Sequence, residues 1–178
     1  MEFVLGIDGG GTSCRAALAT VDGVVVGRAK SGAANIRTDL TGARANIVEA
    51  ARQAFLAAGA DPELIPNTPA ILGLAGANVG TYRQQLEAIL PFSQSRVETD
   101  AEIALEGAVG PRDGAMAILG TGTAYMARKG GKSRAIGGRG FQVGDHGSGA
   151  RIGSDLLDQT LLTYDDIRPA SPLTADIP

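Results

Sequence analysis

Apolar positions along this chain alternate between short continuous runs and stretches spaced for a helix, and the order of the two predicts an architecture. Residues 3–7 form a short apolar run closed by Asp8 and glycines, 14–20 are rich in small apolar residues, and 23–28 follow an Asp22-Gly23 turn. These predict three strands, the last two a hairpin. From Thr38 or Asp39 onward, Ile47, Val48, Ala51, Phe55 and Ala58 recur at helical spacing, and Gly59 with Pro62 marks the stop. An apolar strand at 70–74, a helix from Thr81 carrying Tyr82, Leu86, Ile89 and Leu90, a strand near 95–99 and a short helix from Asp100 through Ala108 follow. Strands alternating with helices after an initial hairpin predict a mixed sheet covered on both faces, in the α/β class.

The pattern then begins again. A strand at 115–119 leads into Gly120-Thr121-Gly122-Thr123, a strand at 123–128, a turn at Lys129-Gly130-Gly131-Lys132 and a strand near 133–136. Strand, glycine-threonine loop, strand, tight turn and strand thus occur at both 3–28 and 115–136, which reads as a duplicated fold. The expected lobes are 1–112 and, as the beginning of a second copy, 113–178. That second copy continues with one helix, whose apolar positions are Leu156, Leu157, Leu161 and Leu162, and a Pro-punctuated stretch at 167–172. Two further strands of the repeat, with their helices, are expected beyond residue 178.

Composition narrows the function. With 44% hydrophobic and 20% charged residues, the chain carries enough apolar surface to fold. A net charge of -3 supplies no basic field for nucleic acid, which leaves a small ligand as the default partner. Many of the 26 glycines gather at 9–11, 73–76, 120–122 and 137–149, a clustering that suggests backbone brought close to a ligand. The single cysteine, Cys14, allows no intrachain disulfide and too few thiols for a Cys-rich zinc site, in keeping with a reducing cytoplasm. The N-terminal apolar run is too short for a signal peptide or a membrane span.

The glycine clusters hold the candidate chemistry. In Asp8-Gly9-Gly10-Gly11-Thr12, successive glycines let backbone N–H groups converge on a phosphate, the carboxylate can hold Mg²⁺ through its water shell, and Thr12 can add a hydroxyl donor. A plain glycine-rich hairpin turn is the structural alternative. Gly120-Thr121-Gly122-Thr123 occupies the same place in the repeat and could grip further phosphates from the second lobe. Asp100, between a strand and a helix, reads either as an N-cap or as the carboxylate that phosphoryl transfer to an alcohol requires. The glycine-dense stretch from Gly137 to Gly149 favours a ligand-binding loop over a linker, and His146 alone is more often structural. Gly131-Lys132-Ser133 is no P-loop, because Met126 stands where its first glycine belongs, and Gly138, Gly140 and Gly144 do not satisfy the dinucleotide fingerprint.

Together these segments, from Phe3 to about Leu162, resemble the N-acetylglucosamine kinase group of the BadF/BadG/BcrA/BcrD ATPase family, a branch of the actin, Hsp70 and sugar-kinase superfamily. The resemblance implies a ribonuclease H-like, actin-like ATPase fold with a mixed five-stranded sheet. It implies ATP and Mg²⁺ as cofactors, with Asp8 near the metal and phosphates held by Gly9, Gly10, Gly11, Thr12, Gly120, Thr121, Gly122 and Thr123. Thr99-Asp100-Ala101 matches the family's catalytic segment, so Asp100 would take the proton of a sugar 6-hydroxyl. Asn35 and Asp145 match sugar-contacting positions, with Gly76 and Gly138 beside them. The implied partners are an amino sugar, N-acetylglucosamine or glucosamine, and a nucleotide; a homodimer is left open.

The sequence departs from the family pattern where His146 replaces a Glu, Arg139 an aromatic and Ala75 a small hydroxyl residue, which leaves the sugar open. The family's adenosine-binding motif is expected beyond residue 178. Two alternatives stand beside the kinase reading. One is a BadF-type ATPase activator carrying an iron–sulfur cluster on cysteines from a dimer, against which Cys14 lies in the wrong place. The other is an inactive remnant that binds a sugar or nothing.

Overall fold

In the computed structural model, which describes residues 2–175, the apolar runs become strands and the helical stretches become helices largely where the pattern puts them. The chain divides into two compact units, one ending at Gly107 and the other beginning at Ala108. The first contains β1 (Phe3–Gly9), β2 (Cys14–Thr20), β3 (Val25–Ser31), α1 (Leu40–Ala57), a 3-10 helix (Pro62–Asn67), β4 (Ala70–Leu74), α2 (Tyr82–Glu87) and β5 (Ser95–Thr99). It also holds most of α3 (Asp100–Val109). Its sheet has the order β3-β2-β1-β4-β5. The first three strands pair antiparallel, while β4 joins β1 and β5 joins β4 in parallel.

Alternation along the strands explains how this sheet is covered. Leu5, Ile7, Cys14, Ala16, Leu18, Leu72, Leu74 and Val97 are buried on one face, together with Ile47, Ala50, Ala51, Ala54 and Phe55 of α1. Phe3 meets Phe55 edge to face, with ring centroids 6.0 Å apart. Full burial of Phe55 contributes about 1.5–3 kcal/mol. The helix starts where Asp39 accepts a hydrogen bond from the Gly42 amide (2.9 Å), and Gly59 (φ +66) follows its end. On the opposite face Gly73 lies directly under Ile103 of α3, leaving no room for a Cβ. Helices therefore lie on both faces, but on the second one Val4 and Ile71 stay exposed.

Two boundaries differ from the sequence expectation. The third strand runs over Val25–Ser31 rather than 23–28: the Thr20–Val24 hydrogen bonds close the turn, and pairing with β2 carries the strand through polar Arg28 and Lys30 to Ser31. Ladder geometry, with a bulge opposite Leu18 and Ala19, outweighs the apolar run. The second helix stops at Glu87, before Ile89 and Leu90, and Pro91 disfavours its extension through Leu90.

The second unit repeats the connectivity of β1–β3. Strands β6 (Gly114–Leu119), β7 (Thr123–Lys129) and β8 (Lys132–Gly137) form an antiparallel sheet in that order, and Gly130 and Gly131 both take positive φ in the tight turn. It continues with α4 (Gly149–Tyr164) and α5 (Pro172–Ala175). The expected core positions of α4 are not buried: Leu157 and Leu161 are exposed, Leu156 and Leu162 partly so. Within the unit, three strands and the four-residue α5 leave that stripe largely uncovered. Among the described residues no helix is long and apolar enough to cross a membrane.

Candidate functional site

Strands β1, β4 and β5 run parallel and end side by side, and the first set of expected site residues lies at those ends. Asp8 and Gly9 close β1 level with Gly73 and Leu74, and Leu74 is level with Thr99. Loops leaving the carboxyl ends of such strands can converge on a ligand. Here hydrogen bonds stitch them together: Ala75 donates to the Gly9 carbonyl (2.8 Å), Ala34 to that of Gly10 (2.8 Å) and Ile36 to that of Ala75 (3.1 Å). The loop after β1 is thus bracketed by the segments carrying Asn35 and Gly76.

The glycines of this loop serve different needs. A Cβ at Gly9 would stand 2.5 Å from Leu74 Cδ2 and 2.9 Å from Ala34 Cβ, so packing excludes a side chain there. The Gly10 amide closes the turn onto the Ser13 carbonyl (2.9 Å). Gly11 is exposed, with open space where a Cβ would be. Among the described residues no hydrogen bond engages the amides of Gly11 or Thr12, and two successive open N–H groups are what an anion-binding loop needs.

Asp8 is partly exposed, and its carboxylate lies 3.4 Å from the exposed guanidinium of Arg15, a contact that solvent screens. Among the described residues no group of three or more His, Cys, Asp or Glu is placed to hold a metal. One accessible carboxylate beside open amides fits Mg²⁺, which keeps most of its waters, and does not fit a caged ion.

Asn35 and Gly76 meet. The Asn35 side-chain oxygen accepts from the Arg37 amide (3.1 Å), and a Cβ at Gly76 (φ +89) would come within 2.9 Å of that oxygen and 2.8 Å of Arg37 Cβ. Asp100 follows β5. The cap of α3 is made by its neighbours: the Thr99 hydroxyl accepts from the Glu102 amide (3.2 Å), and the Glu102 carboxylate accepts from the Thr99 amide (3.1 Å). The N-cap alternative for Asp100 is therefore corrected to Thr99. Asp100 is exposed, and among the described residues its carboxylate accepts a hydrogen bond only from the adjacent Ala101 amide (2.8 Å). The Thr-x-x-Glu spacing at 99–102 was the signal for this capping box, and reading Asp100 alone missed it.

Beside it Glu98 is nearly buried between Arg83 (3.3 Å) and Arg96. Burial opposes its ionisation, but the hydrogen bond from Arg96 and the nearby positive charges outweigh it and hold the carboxyl below its ordinary range. Cys14, fully buried in β2, has its thiol pushed up to about 11 by that burial.

The second set of residues is gathered within the second unit. A hollow of about 380 Å³ is lined by Gly120, Thr121, Gly122, Thr123, Gly138, Gly140 and Asp145, among others. The loop rests on the first turn of α4, whose Gly149 and Ala150 amides donate to the carbonyls of Gly120 (2.8 Å) and Thr121 (3.2 Å). Ser148 caps that helix by accepting from the Arg151 amide (3.1 Å). Thr123 is buried, donates its amide to Asp145 Oδ1 (3.1 Å) and accepts from the Gly138 amide (3.2 Å). Among the described residues no hydrogen bond engages the amides of Thr121 and Gly122. His146 and Arg139 are exposed, whereas Arg151 stacks over Phe141 (4.8 Å) and donates to the Gly144 carbonyl, bracing the loop.

Known proteins resemble this chain in sequence and in fold. The chain is 42% identical over 174 residues to the glucosamine kinase GspK of Vibrio cholerae, covering 97% of this chain and 59% of that protein. It is 31% identical over 183 residues to the N-acetylmuramic acid/N-acetylglucosamine kinase of Clostridium acetobutylicum, again covering 59% of the relative. The chain thus spans under two thirds of these relatives' length. The solved structure of a candidate N-acetylglucosamine kinase from Chromobacterium violaceum superposes with a TM-score of 0.81 at 30% identity, covering 99% of this chain and 63% of that one. Residues 5–176 match one family throughout, and the chain belongs to the BadF/BadG/BcrA/BcrD ATPase family.

Proposed function

We propose that the protein phosphorylates an amino sugar, N-acetylglucosamine or glucosamine, at its 6-hydroxyl with ATP as donor. The observation that carries this reading is Asp100: it stands exposed at the carboxyl end of β5, and the duty of capping α3 falls to Thr99 and Glu102. An exposed carboxylate that takes no part in the cap and accepts a bond from the Ala101 amide suits a group that orients an acceptor hydroxyl and takes its proton. The names of the two relatives, a glucosamine kinase and an N-acetylmuramic acid/N-acetylglucosamine kinase, support an amino sugar as acceptor.

Each unit contributes its own residues. In the first, Asp100 accepts the hydroxyl proton as the sugar oxygen bonds to phosphorus and the bond to the leaving nucleoside diphosphate breaks. The Gly11 and Thr12 amides donate to phosphate oxygens, Asp8 holds water around Mg²⁺, and Asn35 beside Gly76 orients the sugar. In the second, the Thr121 and Gly122 amides donate to phosphate, and Asp145 and Gly138 border the acceptor. Bound Mg²⁺ supplies charge neutralisation on the phosphates. An iron–sulfur ATPase activator is poorly served by these residues, because the sole cysteine is enclosed in the core of β2.

A coupled assay of ADP release from the full-length protein, run with glucosamine, N-acetylglucosamine and glucose, tests the reading. Turnover should favour an amino sugar, and Asp100→Asn should lower kcat about 10²- to 10⁴-fold. Equal turnover with glucose would remove the amino-sugar assignment, and full activity in Asp100→Asn would remove the base.

A further inference from the structure

We infer that Asp145 is a positioning residue for the Gly120–Thr123 phosphate loop, and that its one carboxylate links nucleotide binding to sugar binding. The inference rests on the kinase reading above and deepens it, because a sugar contact alone does not account for what this side chain does.

Asp145 adopts φ +58, a left-handed conformation that is uncommon for a residue with a side chain. That conformation turns its carboxylate onto the loop. Oδ1 accepts the Thr123 amide (3.1 Å), and a Cβ on Gly122 would stand 3.1 Å from Oδ2, so the carboxylate lies flat against the Gly122 backbone. Its own carbonyl accepts the Ser148 amide (3.0 Å), which ties it to the cap of α4. The loop is thereby fixed on several sides: α4 takes the carbonyls of Gly120 and Thr121, Gly138 takes that of Thr123, and Asp145 takes the Thr123 amide.

The consequence concerns the amides of Thr121 and Gly122. Their direction is set by the residues either side of them, and at the far end Thr123 is anchored through its amide by Asp145 and through its carbonyl by Gly138. Among the described residues no hydrogen bond engages Oδ2, and Asp145 borders the same hollow as the loop. One oxygen therefore holds the phosphate loop while the other remains for the hydroxyl of an acceptor. A sugar bound there stiffens the carboxylate and, through Oδ1, the loop.

Calorimetry of the full-length protein with a non-hydrolysable ATP analogue, with and without glucosamine, tests this alongside steady-state kinetics of Asp145→Ala and Asp145→Asn. Loss of a hydrogen bond to a charged group should weaken nucleotide binding about tenfold or more in Asp145→Ala, raising KM for ATP while kcat at saturating ATP changes less. Asparagine keeps an oxygen for the Thr123 amide and tolerates left-handed backbone, so Asp145→Asn should restore nucleotide affinity to within about threefold. Both variants should weaken the sugar and lose the sugar's enhancement of nucleotide binding. Unchanged nucleotide affinity in Asp145→Ala, with only sugar affinity lowered, overturns the inference and leaves the kinase reading standing. Nucleotide binding that depends on Asp145 without turnover of any sugar overturns the kinase reading alone. If Asp145→Ala does not fold, Asp145→Asn decides: a tenfold loss of nucleotide affinity there overturns the inference.

Discussion

Thr99 and Glu102 satisfy one another's backbone amides, the hydroxyl of the first accepting from the second at 3.2 Å and the carboxylate of the second accepting from the first at 3.1 Å. This reciprocal cap separates stability from chemistry at adjacent positions. Thr99→Ala should destabilise the fold by about 1 kcal/mol. Asp100→Ala should leave the urea midpoint nearly unchanged, while Asp100→Asn lowers turnover about 10²- to 10⁴-fold. A loss of about 1 kcal/mol or more in Asp100→Ala, which unlike asparagine cannot cap, would return the cap to that residue.

Neighbouring glycines should respond to alanine in opposite ways. Gly9→Ala drives a methyl into Leu74 and Ala34 and should cost about 1–3 kcal/mol of stability, read from denaturant unfolding. Gly11→Ala meets nothing and should leave stability unchanged, yet place a methyl at the loop tip and weaken nucleotide binding in calorimetry. Equal stability losses at the two positions would contradict the division.

Acid should expose Glu98. Its carboxyl is held below the ordinary value of 4.5 in the folded protein, so its contribution is complete above that value and fades as pH falls through the lower folded value. Glu98→Gln should lose about 1–3 kcal/mol at pH 7 and show a flatter decline of stability as pH falls below 4.5. The urea midpoint measured as the pH is lowered checks both.

Cys14 should be chemically silent while the protein is folded. Raising its pKa from 9.0 to about 11 cuts the thiolate fraction at pH 8 about a hundredfold, and the enclosed sulfur has no access besides. Alkylation by iodoacetamide at pH 8 should be at least that much slower than in urea-unfolded protein; comparable rates would show that β2 opens readily.

The strands and principal helices were legible because burial on one face imposes a period, and the two glycine-threonine loops because backbone that approaches a ligand tolerates few side chains. Motif and resemblance point to Asp8, Asn35, Gly76 and Asp100, but parallel pairing of β1, β4 and β5 is what brings Asp8, Gly76 and Asp100 to one edge, and bonds from the Ala34 and Ile36 amides bring Asn35 beside them. What the linear order could not carry was the division of labour inside a motif. Packing against Leu74 made Gly9 structural while Gly11 stayed open, and the reciprocal bond between Thr99 and Glu102 freed Asp100 from capping. A residue's role there depends on which distant atoms lie within three or four ångströms. Sequence by itself determined the α/β class, the repeat of strand, loop and strand, and the candidate residues. Tertiary structure alone decided which glycine is filled by packing, which carboxylate is free, and that Asp145 reaches back across the chain to hold Thr123, because those are facts of distance between segments that periodicity does not encode.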